Sequence, residues 1–308
     1  MSFATNVLSR GLATTAWRMA ALNHITVIGG GSMGSGIAQV SAQAGYKVTM
    51  VDQNDEILNK SCAIINKSLQ RVVKKKFADD PSKGEAYISD IMSKISTTTD
   101  SSKAVSNTDL VIEAIIENMG IKKKLFSELD KVAKESTIFA SNTSSLSISE
   151  MAKVTKRPEK FGGLHFFNPV PMMKLVEVVR TSNTNDNTFD TLFDYCKKLG
   201  KVPVNCKDTP GFIVNRLLVP YMMEAVRMVE RGDASPKDID TGMKLGAGYP
   251  MGPIELADYV GLDVCKFILD GWHEEFPDHP LFVPSPLLNK FVDEGKLGRK
   301  TGEGFYKY

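Results

Sequence analysis

Apolar and polar positions change rhythm near residue 207. Before it, short β-branched or aromatic runs alternate with longer stretches of helical period; after it, helical period stands alone. Strands are predicted over 24–28, 47–51, 109–115, 137–141, 161–167, 175–179 and 201–206. Helices are predicted from Ser32 to about Ala44, then over 56–77, 121–134, 187–199 and 212–229, resuming near Pro236, Ile254, Asp263 and Pro286. Strands that alternate with helices point to an open, largely parallel sheet. The expected division is an α/β domain over 21–207 and a mainly α-helical domain over 208–308.

The first strand gives the α/β part its chemistry. In HITVIGGGSMGSGIAQVSAQAGYKVTMVD, the run 24–28 meets Gly29-x-Gly31-x-x-Gly34 at once, a helix follows, and the next strand stops at Asp52, eighteen residues after Gly34. Gly29 permits the tight turn, Gly31 lets backbone approach a pyrophosphate, and Gly34 lets helix and strand pack closely. The helix N-terminus, with Ser32 and Met33 in its first turn, offers unpaired N–H groups and a positive dipole end to the phosphates. Asp52 suits ribose hydroxyls and would repel a 2′-phosphate, which favours NAD over NADP. A bare glycine pattern is weak, but here strand, helix and acid stand at the required places. The fold class is therefore α/β, a Rossmann-like dinucleotide-binding domain followed by a mainly helical C-terminal domain. Ligands of such sheets bind beyond the carboxyl ends of the strands, where Glu117 and the group Asn142–Ser145 also fall.

Composition narrows the remaining classes. Thirty-eight Lys and Arg against 36 Asp and Glu leave a net charge of +2, too small to imply nucleic acid. No apolar run approaches the ~18 residues of a membrane span. The four cysteines and four histidines show no ligand spacing, so no metal site is expected, and the cysteines read as reduced core residues. The first twenty residues, MSFATNVLSRGLATTAWRMA, carry Arg10, Arg18 and several Ser and Thr but no acid, the composition of a mitochondrial transit peptide.

One stretch breaks the apolar rule. GLHFFNPVPMMKLVEVV places His165 and Glu177 inside strand-like runs where an unpaired charge is costly. Asn168-Pro-Val-Pro171 reverses the chain between them. Such a reversal could set the two side by side, the carboxylate fixing the imidazole tautomer and freeing one ring nitrogen as a base. Two unrelated strand residues would fit the pattern equally well.

VIGGGSMGSGIAQ, NTSSLSI, GLHFFNPVPMMKLVEVV, CKDTPGFIVNRLLVPY, GAGYPMGPIELADYVGLD and GRKTGEGFYKY together resemble the L-3-hydroxyacyl-CoA dehydrogenase family over nearly everything after the leader. The resemblance implies NAD-dependent oxidation of an L-3-hydroxyacyl-CoA to its 3-oxo product in fatty-acid β-oxidation. His165 matches the family's general base and Glu177 its orienter. Ser144 matches the serine that bonds substrate near the nicotinamide, and Asn215 the asparagine that helps hold substrate and histidine. Glu117, Lys122, Asn168 and Lys300 match NAD contacts. Ser68 and Lys75 match coenzyme A contacts on the long second helix, where Lys74–Lys76 suit an anionic tail. The resemblance further implies a homodimer joined through the helical domain and, with the leader, the mitochondrial matrix. Without it, the lysines would read as solvated surface, Ser144 as a turn residue and Asn215 as a helix cap or an interior polar residue.

Two other readings stay open at this point. One is a dehydrogenase of a free hydroxy acid or sugar acid on the same scaffold, against which Ser68 and Lys74–Lys76 argue. The other is a non-catalytic NAD-sensing protein, which would need no oriented base.

Overall fold

The structure, a computed structural model, describes residues 22–308; the expected leader, residues 1–20, lies outside them. The elements run β1 (His24–Ile28), α1 (Ser32–Gln43), β2 (Lys47–Val51), α2 (Asp55–Lys76), α3 (Pro81–Ser93), β3 (Ile95–Thr98), α4 (Ser101–Val105), β4 (Leu110–Glu113), α5 (Met119–Asp130) and β5 (Ile138–Ser141). Then follow α6 (Ile148–Ala152), β6 (Phe161–Phe166), β7 (Leu175–Arg180), α7 (Asp186–Lys198) and β8 (Val202–Lys207). Helices alone continue: α8 (Val214–Arg231), α9 (Pro236–Gly246), α10 (Pro253–Val260), α11 (Leu262–Glu275) and α12 (Pro286–Asp293).

Among the described residues the strands form one sheet in the order β3-β2-β1-β4-β5-β6-β7-β8. All neighbouring pairs are parallel except β6 with β7. Helices cover both faces, so the central strands are buried on both sides and read as continuous apolar runs. In β4, for instance, Leu110 and Ile112 join one core cluster and Val111 the other. The order reverses between β1 and β4, and that switch point opens a crevice at the strand ends. No helix among the described residues is long and apolar enough to cross a membrane.

The glycine turn is sterically obligatory. Gly29 has φ +105°, and a Cβ on Gly34 would stand 1.7 Å from the Gly29 carbonyl oxygen. The crossover from β2 differs from the single long helix expected. It is a pair, α2 and α3, followed by a short edge strand. Asn54 caps α2 by accepting from Ile57 N, and Asp80 caps α3 by accepting from Lys83 N, with Pro81 in the first turn. Among α3 residues only Gly84 and Ile91 are fully buried, which explains its faint apolar signal.

Between β8 and α8 the chain passes Gly211 (φ +75°) and Phe212 (φ +52°), two successive left-handed residues. Trp272 of α11 fills the space a Gly211 side chain would need. This turn aims the N-terminus of α8 at Glu177 of β7.

Gly34→Ala is expected to cost about 3 kcal/mol or more, because its contact is with backbone that cannot rotate away. A lowered denaturant midpoint at unchanged slope checks this.

Candidate active site

Antiparallel pairing of β6 with β7 sets His165 directly opposite Glu177. His165 Nδ1 lies 2.6 Å from Glu177 Oε2. The partner is an acceptor, so the neutral ring carries its proton on Nδ1 and leaves the Nε2 lone pair free. His165 is 6% exposed and Glu177 0%. Glu177 Oε1 accepts from the backbone N–H groups of Ile213 (3.0 Å) and Val214 (2.8 Å), the start of α8. The buried carboxylate is thus met by three donors, two of them at a helix end that favours negative charge. The rings of Phe167 and Phe212 flank the imidazole at 4.5 and 5.7 Å between centroids.

A second polar cluster forms where β4 and β5 end. Glu117 Oε1 accepts from Thr143 Oγ1 (2.6 Å), Ser144 N (2.9 Å) and Ser144 Oγ (3.3 Å). Lys122 Nζ bridges Glu117 Oε2 at 3.1 Å and Glu113 Oε1 at 2.6 Å. Glu113, fully buried, also accepts from Ile115 N (2.7 Å) and Ser141 Oγ (2.5 Å). Burial alone would raise the Glu117 pKa; the Lys122 charge and the bonds from Thr143 and Ser144 outweigh it and hold the carboxyl below its ordinary value. Asn215 Nδ2 donates to the Ser144 carbonyl at 3.3 Å, and Asn142 Oδ1 accepts from Phe166 N at 2.9 Å. Hydrogen bonds therefore link the ends of β4, β5, β6 and β7 to the start of α8. Glu113 was missed by sequence reasoning. Its signal was the one that singled out Glu177, an acid inside an apolar strand, here DLVIEAI.

The nucleotide side is open. Nothing stands within 4 Å of where a Gly31 Cβ would be, so the N-terminus of α1 has room for a phosphate. Asp52 Oδ2 accepts from Gly30 N at 2.5 Å, at the edge of that opening. Ser61 Oγ of α2 donates to the Gly30 carbonyl. Ser32 Oγ donates to Asn168 Oδ1 at 3.3 Å, bringing the reversal between β6 and β7 to the same helix end. Met33 packs against the core beside it. These residues fit a dinucleotide: bare backbone at a helix end, an acid at the neighbouring strand end, and polar side chains around.

Two predicted groups lie farther out. Ser68 and Lys75 are seven residues apart on α2 and so share one face, with Lys75 exposed. Lys76 instead lies over the Phe77 and Tyr87 rings. Lys300 is in a short turn after α12, its ammonium taken by Asp263 of α11; among the described residues it makes no hydrogen bond to the strand ends. No group of three or more His, Cys, Asp or Glu among the described residues could hold a metal ion.

Two family models match the chain: the NAD-binding domain of 3-hydroxyacyl-CoA dehydrogenase over residues 24–209 and its C-terminal domain over 211–308. The chain is 60% identical over 313 residues to the mitochondrial hydroxyacyl-coenzyme A dehydrogenase of Sus scrofa, covering 100% of both chains. It is 59% identical to that of Homo sapiens over 306 residues, 99% of this chain and 98% of that one. The crystal structure of (S)-3-hydroxybutyryl-CoA dehydrogenase from Ralstonia eutropha superposes with a TM-score of 0.88 at 42% identity, over 94% of this chain and 99% of that one.

Lys122→Met leaves the buried Glu113 and the partly exposed Glu117 without their shared cation and is expected to cost about 3 kcal/mol. Adding Glu113→Gln should recover part of that loss, a non-additivity read from a denaturation cycle. The depressed Glu117 pKa stabilises the fold above the unfolded glutamate range, and that contribution is lost as pH falls through the folded value. Glu117→Gln should therefore flatten the acid limb of the stability curve, measured as denaturant midpoint against pH.

Proposed function

The chain belongs to the 3-hydroxyacyl-CoA dehydrogenase family, NAD-dependent oxidoreductases, and from that premise we propose that it oxidises L-3-hydroxyacyl-CoA with His165 as general base. The observation that carries the reading is the 2.6 Å contact between His165 Nδ1 and Glu177 Oε2, with the other carboxylate oxygen fixed by α8. Nε2 then takes the proton of the substrate 3-hydroxyl, and Glu177 stabilises the imidazolium that forms. Bound NAD supplies the acceptor for the hydride leaving C3. The Ser144 hydroxyl, oriented by Glu117, bonds the substrate oxygen, and Asn215 holds the Ser144 backbone and the acyl group. Asp52 takes the adenosine ribose, Gly29–Gly34 with Ser32 and Met33 the pyrophosphate, and Glu117, Lys122, Asn168 and Lys300 complete the cofactor contacts.

Ser68 and Lys75 on the outer face of α2 take the coenzyme A moiety, which makes the thioester rather than the free acid the substrate. This activity serves fatty-acid β-oxidation in the mitochondrial matrix, with residues 1–20 as the import signal. The α/β domain over 21–207 holds the cofactor, and the helical domain over 208–308 closes the substrate side and carries the homodimer contact. Leu217, Leu245, Tyr259 and Phe267 support the last point, being large apolar side chains exposed on its helices. A mass measurement in solution at twice the chain mass checks it.

Purified protein should consume NADH, followed at 340 nm, on addition of acetoacetyl-CoA and not of free acetoacetate. Turnover of free acetoacetate at the same rate would overturn the coenzyme A assignment. His165→Ala should lower kcat by about 10²–10⁴-fold with NADH binding retained. Glu177→Gln, which donates to Nδ1 and forces the other tautomer, should lower kcat over the same range.

A further inference from the structure

Lys201, between α7 and β8, is a buried cation outside the machinery described above, at 8% exposure. Its Nζ donates to the carbonyl oxygens of Val170 (2.5 Å) and Met173 (2.8 Å). Desolvation pushes its pKa below the ordinary lysine value, and the neighbouring Cys196 opposes this. Among the described residues that ammonium is hydrogen-bonded only to backbone carbonyls, an expensive way to fasten a surface turn. That turn, 168–173, carries Asn168.

The turn is gripped from its other side as well. Val170 is buried against α1, where a Cβ on Gly36 would stand 2.7 Å from the Val170 Cβ. Gly36 lies outside the Gly29, Gly31 and Gly34 set, and its missing side chain has this separate use. Within the turn, Met172 N and Met173 N both donate to the Pro169 carbonyl at 3.0 and 3.1 Å. Val202 N donates to the Lys174 carbonyl at 2.7 Å and anchors the exit. Asn168, at the entry, is exposed and accepts a hydrogen bond from Ser32 Oγ of α1. Its place over the helix end is set by the rest of the turn.

We propose that Lys201 is a positioning residue for the nucleotide site: together with the bare Gly36 it clamps residues 168–173, so that Asn168 is held over the N-terminus of α1. This rests on the reading of Asn168 as a cofactor contact. Removing the ammonium frees two carbonyls, the turn loosens, and cofactor binding suffers while the His165–Glu177 pair, on the strands themselves, keeps its geometry.

The test measures NADH dissociation constants by fluorescence, kcat, and amide exchange of the peptide 166–174 in the full-length protein. Lys201→Met should weaken NADH about tenfold, change kcat at saturating NADH far less, and speed exchange at Met172 and Met173. Gly36→Ala, which pushes Val170 outward with Lys201 intact, should do the same, and it carries the test if Lys201→Met fails to fold. In the double variant Lys201→Met/Asn168→Ala, binding should be no weaker than with Asn168→Ala alone. Unchanged NADH affinity in Lys201→Met, with Asn168→Ala impaired, would reduce Lys201 to a structural staple and overturn the proposal. Normal NADH affinity in Asn168→Ala would refute the cofactor role of Asn168 itself, and the positioning role would fall with it.

Discussion

A carboxylate at 0% exposure must find its donors in the protein, and Glu177 finds three: the imidazole on the next strand and two amides at the start of α8. The first keeps one histidine tautomer; the other two tie the sheet to the helical domain. Moving α8 by one hydrogen-bond length would leave a buried oxygen unpaired, at a cost of about 1–3 kcal/mol. The left-handed residues Gly211 and Phe212, wedged by Trp272, are what deliver the helix end to that oxygen. Domain placement and base orientation therefore share one residue.

The same economy governs the other side of the cleft. Glu113 and Glu117 share the single cation of Lys122, and the oxygen of Glu117 turned away from it receives Thr143 and Ser144. At these strand ends Glu113 and Glu117 each meet the Lys122 ammonium, and Asp52 meets the Gly30 amide. The charged carboxylates have partners already in place, which keeps desolvated charge compatible with a stable core.

How much of this was legible follows from where each signal resides. The glycine turn was legible in full because its constraint is steric and local; no other residue type fits at Gly34. The proximity of His165 and Glu177 was legible as a possibility, because strand period and a proline-rich reversal together fix a register. The amides that hold Glu177 were not, since backbone donors leave no trace in residue type. The helix α3 and edge strand β3 escaped because one buries few residues and the other, Ile-Ser-Thr-Thr, shows no apolar alternation. Glu113 was visible and passed over, lacking a neighbouring histidine to draw attention. The pairing of the Lys300 ammonium with Asp263 was not legible either, since residue type does not give a side chain's direction.

The outer edges of the sheet have a consequence for how copies of the molecule can meet. At one end stands β3, four residues of mostly polar character; at the other stands β8, whose Val202 N points inward to Lys174. Alternation along the strand then turns the backbone of Pro203 outward, and proline has no N–H to offer there. A neighbouring strand would meet a gap in the ladder on one side and a short hydrophilic stub on the other. Sheet-to-sheet extension between molecules is thereby discouraged during folding and after it, and self-association is left to side-chain surfaces, where shape rather than backbone pairing selects the partner.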